Sequence, residues 1–316
     1  MTMTTSKPGP LAPFRLTPWF SERVWGRMDL RPWYAETGTT AAVGEAWLTG
    51  AQCLVETGEL AGRQLGLVAE EFAAELLGPD GGEEFPLLVK LLFPNDKLSV
   101  QVHPDDPQAQ AMGQPRGKTE CWYVLEAEPG ATVALGLKAG VTLPMVEAAI
   151  ADGTLEAQLN HVPVAKGDMI FVDAGTVHAI GPGVVLLETQ QTSDTTFRMY
   201  DYGRPRELHV AQGLAVTKLT TRAGKVAPQP MDGFTRLIDE QYFTVDRFEL
   251  AALDEIELLT ATAGCLVGLS GTVNVITPDE EVELTAGQAV VLPVSCGQVI
   301  LEAESDAVLL HCSMPA

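Results

Sequence analysis

The chain has 316 residues, 46% of them hydrophobic, which is enough to bury a large core and to form two domains. Its formal net charge of −22 argues against binding to nucleic acids or to anionic membranes, because phosphate groups require a basic surface. Five cysteines without a CxxC pair, and no secretory leader within residues 1–13, predict free thiols in a reducing cytoplasm.

The first part of the chain is predicted to be rich in strands. Residues 1–13 are expected to form a short disordered lead. The aromatic segments at 17–34 and 44–50 are typical of strands and turns rather than of a periodic helix. These segments predict a mostly β protein. No apolar stretch approaches the about 20 residues needed to span a bilayer, so no membrane helix is predicted.

A few short helices are predicted between the strands. Apolar residues recur at helical spacing over 67–77. An early proline followed by similar spacing predicts a second helix over 144–159, which Gly153 is expected to split. One more short helix is predicted after Arg204.

A linker is predicted late in the chain, over residues 222–233. This segment is rich in proline and glycine and has no periodic apolar residues. It predicts a first domain over 1–233, which carries the functional residues and the short helices, and a second β domain over 234–316.

Four scattered side chains have the chemistry of one metal site. Gln101 and His103 point to the same face of a predicted strand, because strand side chains alternate with period two. Glu120 begins an aromatic and β-branched segment, and His178 follows a predicted strand and a glycine-containing turn. Two imidazoles, a carboxylate and an amide oxygen suit a borderline divalent ion and leave room for substrate oxygens.

Each of these residues also has a structural interpretation. A single histidine beside apolar residues is usually a packed imidazole, and a single glutamate is usually solvated. The combination favours a metal site, since the other three histidines, at positions 161, 209 and 311, lack such neighbours. Two histidines and one carboxylate also match the facial triad of Fe(II) oxygenases, so the ligands alone leave that alternative open.

Basic residues close to these segments stand out against the acidic background and predict an anionic small-molecule ligand. They are Lys90, Lys97, Arg116, Lys118, Arg198 and Arg204. Lys90 lies within the apolar run LLVKLLF, where a charge must pair with a partner or face a cavity.

Both halves of the chain resemble cupins, which are small β-barrels of the jelly-roll type. Gly167 and His178 fit the cupin glycine and histidine pattern, with Asp173 where proline is usual. Gly287 and Pro293 fit it as well, but no histidine follows them. The resemblance therefore implies two cupin-like β-barrel domains, with the metal in the first and none in the second.

Longer strings resemble the type I mannose-6-phosphate isomerases (phosphomannose isomerases) in their short bacterial form. They are GEAWLTG, LLVKLLFPNDKLSVQVHPDD, GKTECWYVL and KGDMIFVDAGTVHAIGPGVVLLETQQTSDTTFRMYDYGR. The resemblance covers most of the chain. It implies the interconversion of mannose 6-phosphate and fructose 6-phosphate through a cis-enediolate, in mannose metabolism, with one zinc ion (Zn2+) per chain.

The resemblance also implies roles for individual residues. The zinc ligands are expected to be Gln101, His103, Glu120 and His178. The catalytic arginine falls on Arg198, and the active-site lysines fall on Lys90 and Lys118.

The residues themselves refine these roles. Arg198 cannot act as a base, so it is assigned to the oxyanion or to the phosphate. Ser99 shares the face of Gln101 and is a candidate phosphate ligand. The base is left between Glu188, Lys118 and a metal-bound water. A phosphosugar-binding protein without turnover stays a third function, and the substrate breadth and oligomeric state are open.

Overall fold

The computed structural model describes residues 10–315. The first nine residues of the predicted disordered lead lie outside this range. Within it, the first thirteen strands are β1 (Phe14–Thr17), β2 (Trp19–Arg27), β3 (Val43–Trp47), β4 (Leu54–Val55), β5 (Leu87–Leu92), β6 (Val100–Val102), β7 (Glu120–Ala127), β8 (Thr132–Leu137), β9 (Leu159–Pro163), β10 (Met169–Val172), β11 (His178–Ile180), β12 (Val184–Gln191) and β13 (Phe197–Tyr200).

The remaining strands are β14 (Gly224–Val226), β15 (Gln229–Pro230), β16 (Thr235–Asp239), β17 (Thr244–Leu250), β18 (Glu255–Leu259), β19 (Gly264–Ser270), β20 (Thr272–Ile276), β21 (Glu281–Thr285), β22 (Ala289–Leu292), β23 (Gln298–Ala303) and β24 (Ala307–Ser313). The helices are α1 (Leu65–Glu71), α2 (Ala73–Leu77), α3 (Asp106–Ala111), α4 (Leu143–Ala151) and α5 (Val210–Val216), with 3-10 turns at Leu155–Gln158 and Val294–Cys296. The expected mostly β chain with a few short helices is confirmed.

The helices differ in detail from the sequence prediction. The helix expected over 67–77 is two helices, α1 and α2, which Phe72 separates in a non-helical conformation. Gly153 does end the second predicted helix: its φ is 77°, which favours glycine, and a 3-10 turn follows α4. Helix α3 was not predicted, although Asp105 and Gln108 form a capping box at its start. None of the described helices is long and apolar enough to cross a membrane.

The strands form four sheets, and their pairings are antiparallel. The five-stranded sheet has the order β13-β6-β11-β8-β9, and the seven-stranded sheet has the order β14-β10-β7-β12-β5-β3-β2. The eight-stranded sheet has the order β15-β16-β17-β24-β19-β22-β1-β4, and the four-stranded sheet has the order β18-β23-β20-β21. Among the described residues, none of the sheets closes into a barrel.

The sheets stack face to face in the order five, seven, eight and four strands. Alternate residues of β7 show why: Trp122 packs in a core with residues of the five-stranded sheet, whereas Tyr123 packs in a core with residues of the eight-stranded sheet. Strand β19 alternates in the same way: Leu266 faces the four-stranded sheet, and Cys265 faces the seven-stranded sheet. Three successive cores therefore hold four layers together. Helices α4 and α5 cover the outer face of the five-stranded sheet.

Strand pairing crosses the domain boundary that the sequence suggests. Strand β1 lies in the eight-stranded sheet, where Phe14 pairs with Val291 of β22, and β4 extends the same edge. The predicted linker over 222–233 contains β14, which pairs with β10, and β15, which pairs with β16. The predicted linker is thus paired into two sheets and does not form an irregular connection between them.

Candidate active site

The four predicted ligands lie between the five-stranded and seven-stranded sheets. Gln101 on β6 pairs directly with His178, the first residue of β11, within the five-stranded sheet. His103 directly follows β6, and its carbonyl accepts a hydrogen bond from Gly175 in the turn before β11. Glu120 is the first residue of β7 in the facing sheet. Ends of three strands therefore bring the four side chains together.

Three of these side chains form a compact buried cluster. The ligand atoms of His103, Glu120 and His178 all lie within 4.8 Å of one another. The distance from His178 Nε2 to Glu120 Oε1 is 3.3 Å, and that from His103 Nε2 to Glu120 Oε2 is 3.6 Å. The three residues are at most 2% exposed, so their polar atoms are shielded from solvent.

Hydrogen bonds orient both imidazoles toward the centre of the cluster. His103 Nδ1 lies 3.0 Å from the carbonyl oxygen of Thr195, and His178 Nδ1 lies 2.9 Å from that of Thr176. A carbonyl only accepts, so each Nδ1 carries the proton and each Nε2 presents a lone pair. Burial lowers the pKa of both histidines, that of His178 to about 4, so both rings are neutral at pH 7.

This donor set fits a divalent cation. Glu120 Oε1 is buried and has no hydrogen-bond partner among the described residues, although an unpaired anionic oxygen is costly to bury. Two imidazole lone pairs face the same space. The amide nitrogen of Gln101 lies 3.2 Å from His178 Nε2, and a rotation of the amide places its oxygen there instead. A cation at this point would satisfy the carboxylate, both imidazoles and the amide.

Two lysines and a second carboxylate surround the cluster. Lys118 Nζ lies 2.5 Å from Glu120 Oε2 and 3.3 Å from His103 Nε2. Glu188 Oε1 lies 3.6 Å from Lys90 Nζ and 3.9 Å from Lys118 Nζ. The three residues are at most 4% exposed. The charge of Lys90 in its apolar strand is therefore compensated inside the protein, as its sequence context requires.

Glu188 has an unusual environment for a carboxylate. Its pKa is raised, mainly by burial and then by the negative charge of Glu120, while Lys118 and Lys90 partly oppose this. Trp122 Nε1 donates a hydrogen bond of 3.2 Å to Glu188 Oε2. One oxygen is thus fixed by the indole, and the other faces the two lysines.

Lys90, Lys118 and Glu188 line one cavity of about 450 Å³. Among the predicted site residues, those in its wall are Lys90, Ser99, Gln101, Lys118, Glu188 and Arg198. The cavity therefore joins the predicted substrate-binding residues to one predicted metal ligand and to the carboxylate that is a candidate base. Gln101 and Lys118 also contact the buried cluster of His103, Glu120 and His178, so this cluster adjoins the cavity.

Arg198 is a wall residue with unused hydrogen-bonding capacity. It lies on β13, opposite Gln101 in the strand pairing. One terminal nitrogen donates to the carbonyl of Glu207, at 2.8 Å, and the buried Nε has no partner among the described residues. The guanidinium lacks a carboxylate partner within the described part of the chain, which leaves it available to an anion.

The other predicted basic residues bind acidic partners away from the cavity. Lys97 lies 2.7 Å from Glu156, and Arg116 lies 2.8 Å from Glu84. Arg204 pairs with Asp201 at 2.9 Å. Three of the six cations singled out in the sequence therefore do not contribute to the cavity.

Several cavity residues were not singled out from the sequence, among them Arg23, Glu45, Asp194 and Arg206. Arg23 and Glu45 form a bidentate pair of 3.1 and 3.2 Å at the outer wall. Glu45 lies within the string GEAWLTG and Asp194 within the string that carries Arg198, so both were in segments already recognised. No local pattern distinguishes a carboxylate that faces a cavity from a solvated one.

Comparison with known proteins gives consistent results. The family profile described as "Phosphomannose isomerase type I, catalytic domain" matches residues 13–136. A probable mannose-6-phosphate isomerase of Bacillus subtilis is 33% identical over 95% of this chain and 99% of its own length. The mannose-6-phosphate isomerase of Streptococcus mutans is 34% identical over 86% of this chain and 89% of its own length.

A solved structure extends the similarity to the complete fold. The crystal structure of a mannose 6-phosphate isomerase from Bacillus subtilis superposes with a TM-score of 0.87 and 29% identity, covering 96% of this chain and all of that chain. The match thus includes the four-layer arrangement as well as the strings around the cavity. From the identity and coverage of its relatives, the chain belongs to the type I mannose-6-phosphate isomerases, a family of metal-dependent aldose–ketose isomerases.

Proposed function

We propose that this protein interconverts mannose 6-phosphate and fructose 6-phosphate, with one zinc ion held by Gln101, His103, Glu120 and His178. The observation that supports this most directly is the buried cluster of two neutral imidazoles and a carboxylate with a partnerless oxygen. It adjoins a cavity large enough for a sugar phosphate. Two histidines and one glutamate are a typical catalytic zinc ligand set, to which the Gln101 amide adds a neutral oxygen.

The reaction moves a proton between C1 and C2 of the open-chain sugar. When bound, zinc supplies a Lewis acid that stabilises the charge of the cis-enediolate. We assign the proton transfer to Glu188, because its Oε1 is free of the indole that holds Oε2 and because burial raises its pKa toward the working range of a base. Lys118 is assigned to donate a hydrogen bond to a sugar oxygen beside Glu120.

The phosphate is assigned to the opposite wall of the cavity. Arg198 has a guanidinium without a carboxylate partner among the described residues, and its fork of donors matches a phosphate or an enediolate oxygen. Ser99, next to β6, lines the same wall, whereas Lys90 lines the cavity from the seven-stranded sheet beside Glu188; both are buried. These three residues are proposed to bind the substrate.

Replacing Arg198 is expected to separate rate from metal binding. The Arg198→Ala variant should keep one zinc per chain but lose about 10²- to 10³-fold in kcat/KM, because a donor to the anionic substrate is removed. The Arg198→Lys variant, which keeps the charge but not the fork, should recover only part of the loss. Steady-state kinetics together with metal analysis check this. Unchanged kinetics in Arg198→Ala would remove Arg198 from the site.

The proposed domain arrangement and cellular location follow from other observations. We propose two cupin-like jelly rolls, over 1–233 and 234–316. The five- and seven-stranded sheets form the first and the eight- and four-stranded sheets form the second, which β1, β4 and β15 of the first range also join. A reducing compartment, the cytoplasm, is proposed because all five cysteines are free thiols.

Chelation is expected to test the function and the metal together. Purified protein should convert mannose 6-phosphate in a coupled assay, lose activity as a chelator removes the metal, and regain it with about one equivalent of zinc. Activity that persists after complete metal removal would contradict the metal role. A fully occupied site without turnover would instead favour the oxygenase or the binding protein.

A further inference from the structure

One segment connects a proposed metal ligand to a proposed catalytic lysine. It covers residues 104–118, from the residue after His103 to Lys118 itself, and contains the short helix α3. Asp106, the first residue of α3, holds this segment together. Its Oδ1 accepts hydrogen bonds from the backbone N–H of Gly117, at 2.7 Å, and from Nε2 of Gln191, at 3.0 Å.

These contacts join the two ends of the segment. The N–H of Lys118 donates to the carbonyl of Pro104, at 3.0 Å. A Cβ atom added to Gly117 would lie 2.5 Å from backbone atoms of Pro104 and Asp105, so the ends pack with no space between them. Gln191 also accepts from the N–H of Thr119, at 2.9 Å. The position of Asp106 therefore fixes where Lys118 and Glu120 lie relative to His103.

A residue from the far part of the chain contacts the same carboxylate. Tyr242 lies between β16 and β17, and its hydroxyl donates a hydrogen bond of 2.8 Å to Asp106 Oδ2. Burial raises the pKa of Asp106, but the hydrogen bonds from Gly117, Gln191 and Tyr242 outweigh it and lower the pKa overall. Asp106 is thus a carboxylate that accepts three bonds, and such charge-assisted bonds are stronger than neutral ones.

We infer that Tyr242 is a positioning residue for the isomerase reaction: its hydroxyl fixes Asp106 and, through Asp106, the separation of His103 and Lys118. The part of the chain beyond residue 233 thereby contributes to the reaction as well as to the core. This inference rests on the roles proposed above for His103 and Lys118. It assigns a function to a hydroxyl group outside the cavity wall.

The test compares two Tyr→Phe variants, each of which loses one phenolic hydroxyl. Tyr242→Phe removes the hydroxyl at Asp106. Tyr123→Phe is the matched control, because its hydroxyl accepts a hydrogen bond of 3.5 Å from Arg247, between the same two parts of the chain, and has no hydrogen bond to residues 104–118 among the described residues. Both variants are compared with the wild type in zinc release to a chelator, kcat, KM, melting temperature and amide hydrogen exchange.

Tyr242→Phe is expected to act locally. Zinc release should become about tenfold faster and kcat about tenfold lower, as is typical when a supporting contact of a metal site is lost. KM should stay within about twofold, because the substrate-binding wall is unchanged, and exchange should accelerate at the amide of Gly117 but not across the sheets. Tyr123→Phe should match the wild type in zinc release and kcat.

The inference would be overturned if Tyr242→Phe matched Tyr123→Phe in zinc release, kcat and local exchange, or if it lowered only the melting temperature. Asp106→Asn gives a second approach should Tyr242→Phe fold poorly: it should show the same local exchange, and adding Tyr242→Phe to it should cause little further loss. Exchange is also measured without metal, so the coupling is judged separately from the ligand assignment. Zinc binding that survives in the His178→Ala variant would instead count against the proposed ligand assignment.

Discussion

His178→Ala is expected to abolish both bound zinc and turnover. The substitution removes one of the two imidazole lone pairs that face Glu120 and leaves a buried carboxylate with one neighbour fewer. A Lewis acid contributes several kcal/mol to the transition state, so its loss should lower kcat/KM by about 10³-fold or more. Metal analysis of the purified variant and the coupled isomerase assay measure the two effects.

A second buried histidine provides the control for His178→Ala. His311 lies on β24, is 9% exposed, and has a pKa that burial lowers to about 4, as for His178. His311→Ala therefore removes a similar neutral imidazole from the C-terminal part of the chain. It should cost stability while retaining zinc and kcat. If His178→Ala kept one zinc per chain and full activity, the ligand assignment would be wrong.

Glu188→Gln is expected to produce the largest loss of rate without loss of metal. The amide keeps the shape of the side chain and its hydrogen bond to Trp122, but it cannot take a proton. General base catalysis contributes about 10²- to 10⁴-fold, so kcat should fall by that factor while zinc content and KM change little. Steady-state kinetics and metal analysis of the same preparation measure kcat, KM and zinc content together.

The pH profile gives an independent check on the base. Because the pKa of Glu188 is raised, the wild type should lose kcat/KM on acidification at a higher pH than an ordinary carboxylate would cause. The base must be deprotonated, so activity falls as pH decreases through that pKa. This limb should disappear in Glu188→Gln.

Another carboxylate that binds an indole serves as the control for Glu188→Gln. Glu126 accepts a hydrogen bond of 2.8 Å from Nε1 of Trp33, but it does not line the cavity. Glu126→Gln should therefore leave kcat unchanged. If Glu188→Gln kept its rate and Lys118→Met lost it, the base would be Lys118 and not Glu188.

Local sequence patterns predicted the secondary structure around the site well. Alternation along a strand predicted that Gln101 and His103 face the same way, and both side chains lie beside His178; Gly153 interrupted a helix as expected. Recognition of the longer strings then indicated the family and its mostly β fold, because these strings occur in the same order as in a known family, although the expected closed barrels are absent among the described residues. The break at Phe72 escaped prediction, since the apolar spacing continues through it.

Contacts between distant segments were not predictable in the same way. Lys90 and Lys97 were both singled out as cations close to the site, yet one faces Glu188 in the cavity and the other faces Glu156 outside it. The contact of Tyr242 with Asp106 joins a loop to the start of α3 across 136 positions of the chain. Periodicity describes which way a side chain points from its own strand, but it carries no information on which other strand lies opposite.

The place of β1 in the eight-stranded sheet has a consequence for the order in which the protein folds. Strand β4, on one side of β1, is synthesised soon after it, but Phe14 pairs with Val291 on the other side, so that pairing cannot form until β22 has been synthesised. At about 5–20 residues per second, synthesis of the intervening residues takes on the order of tens of seconds. Phe14 and Leu16, which are buried in the finished molecule, lack their β22 partners during that interval. Among the earliest described residues to be made, they are therefore among the last to reach their final positions.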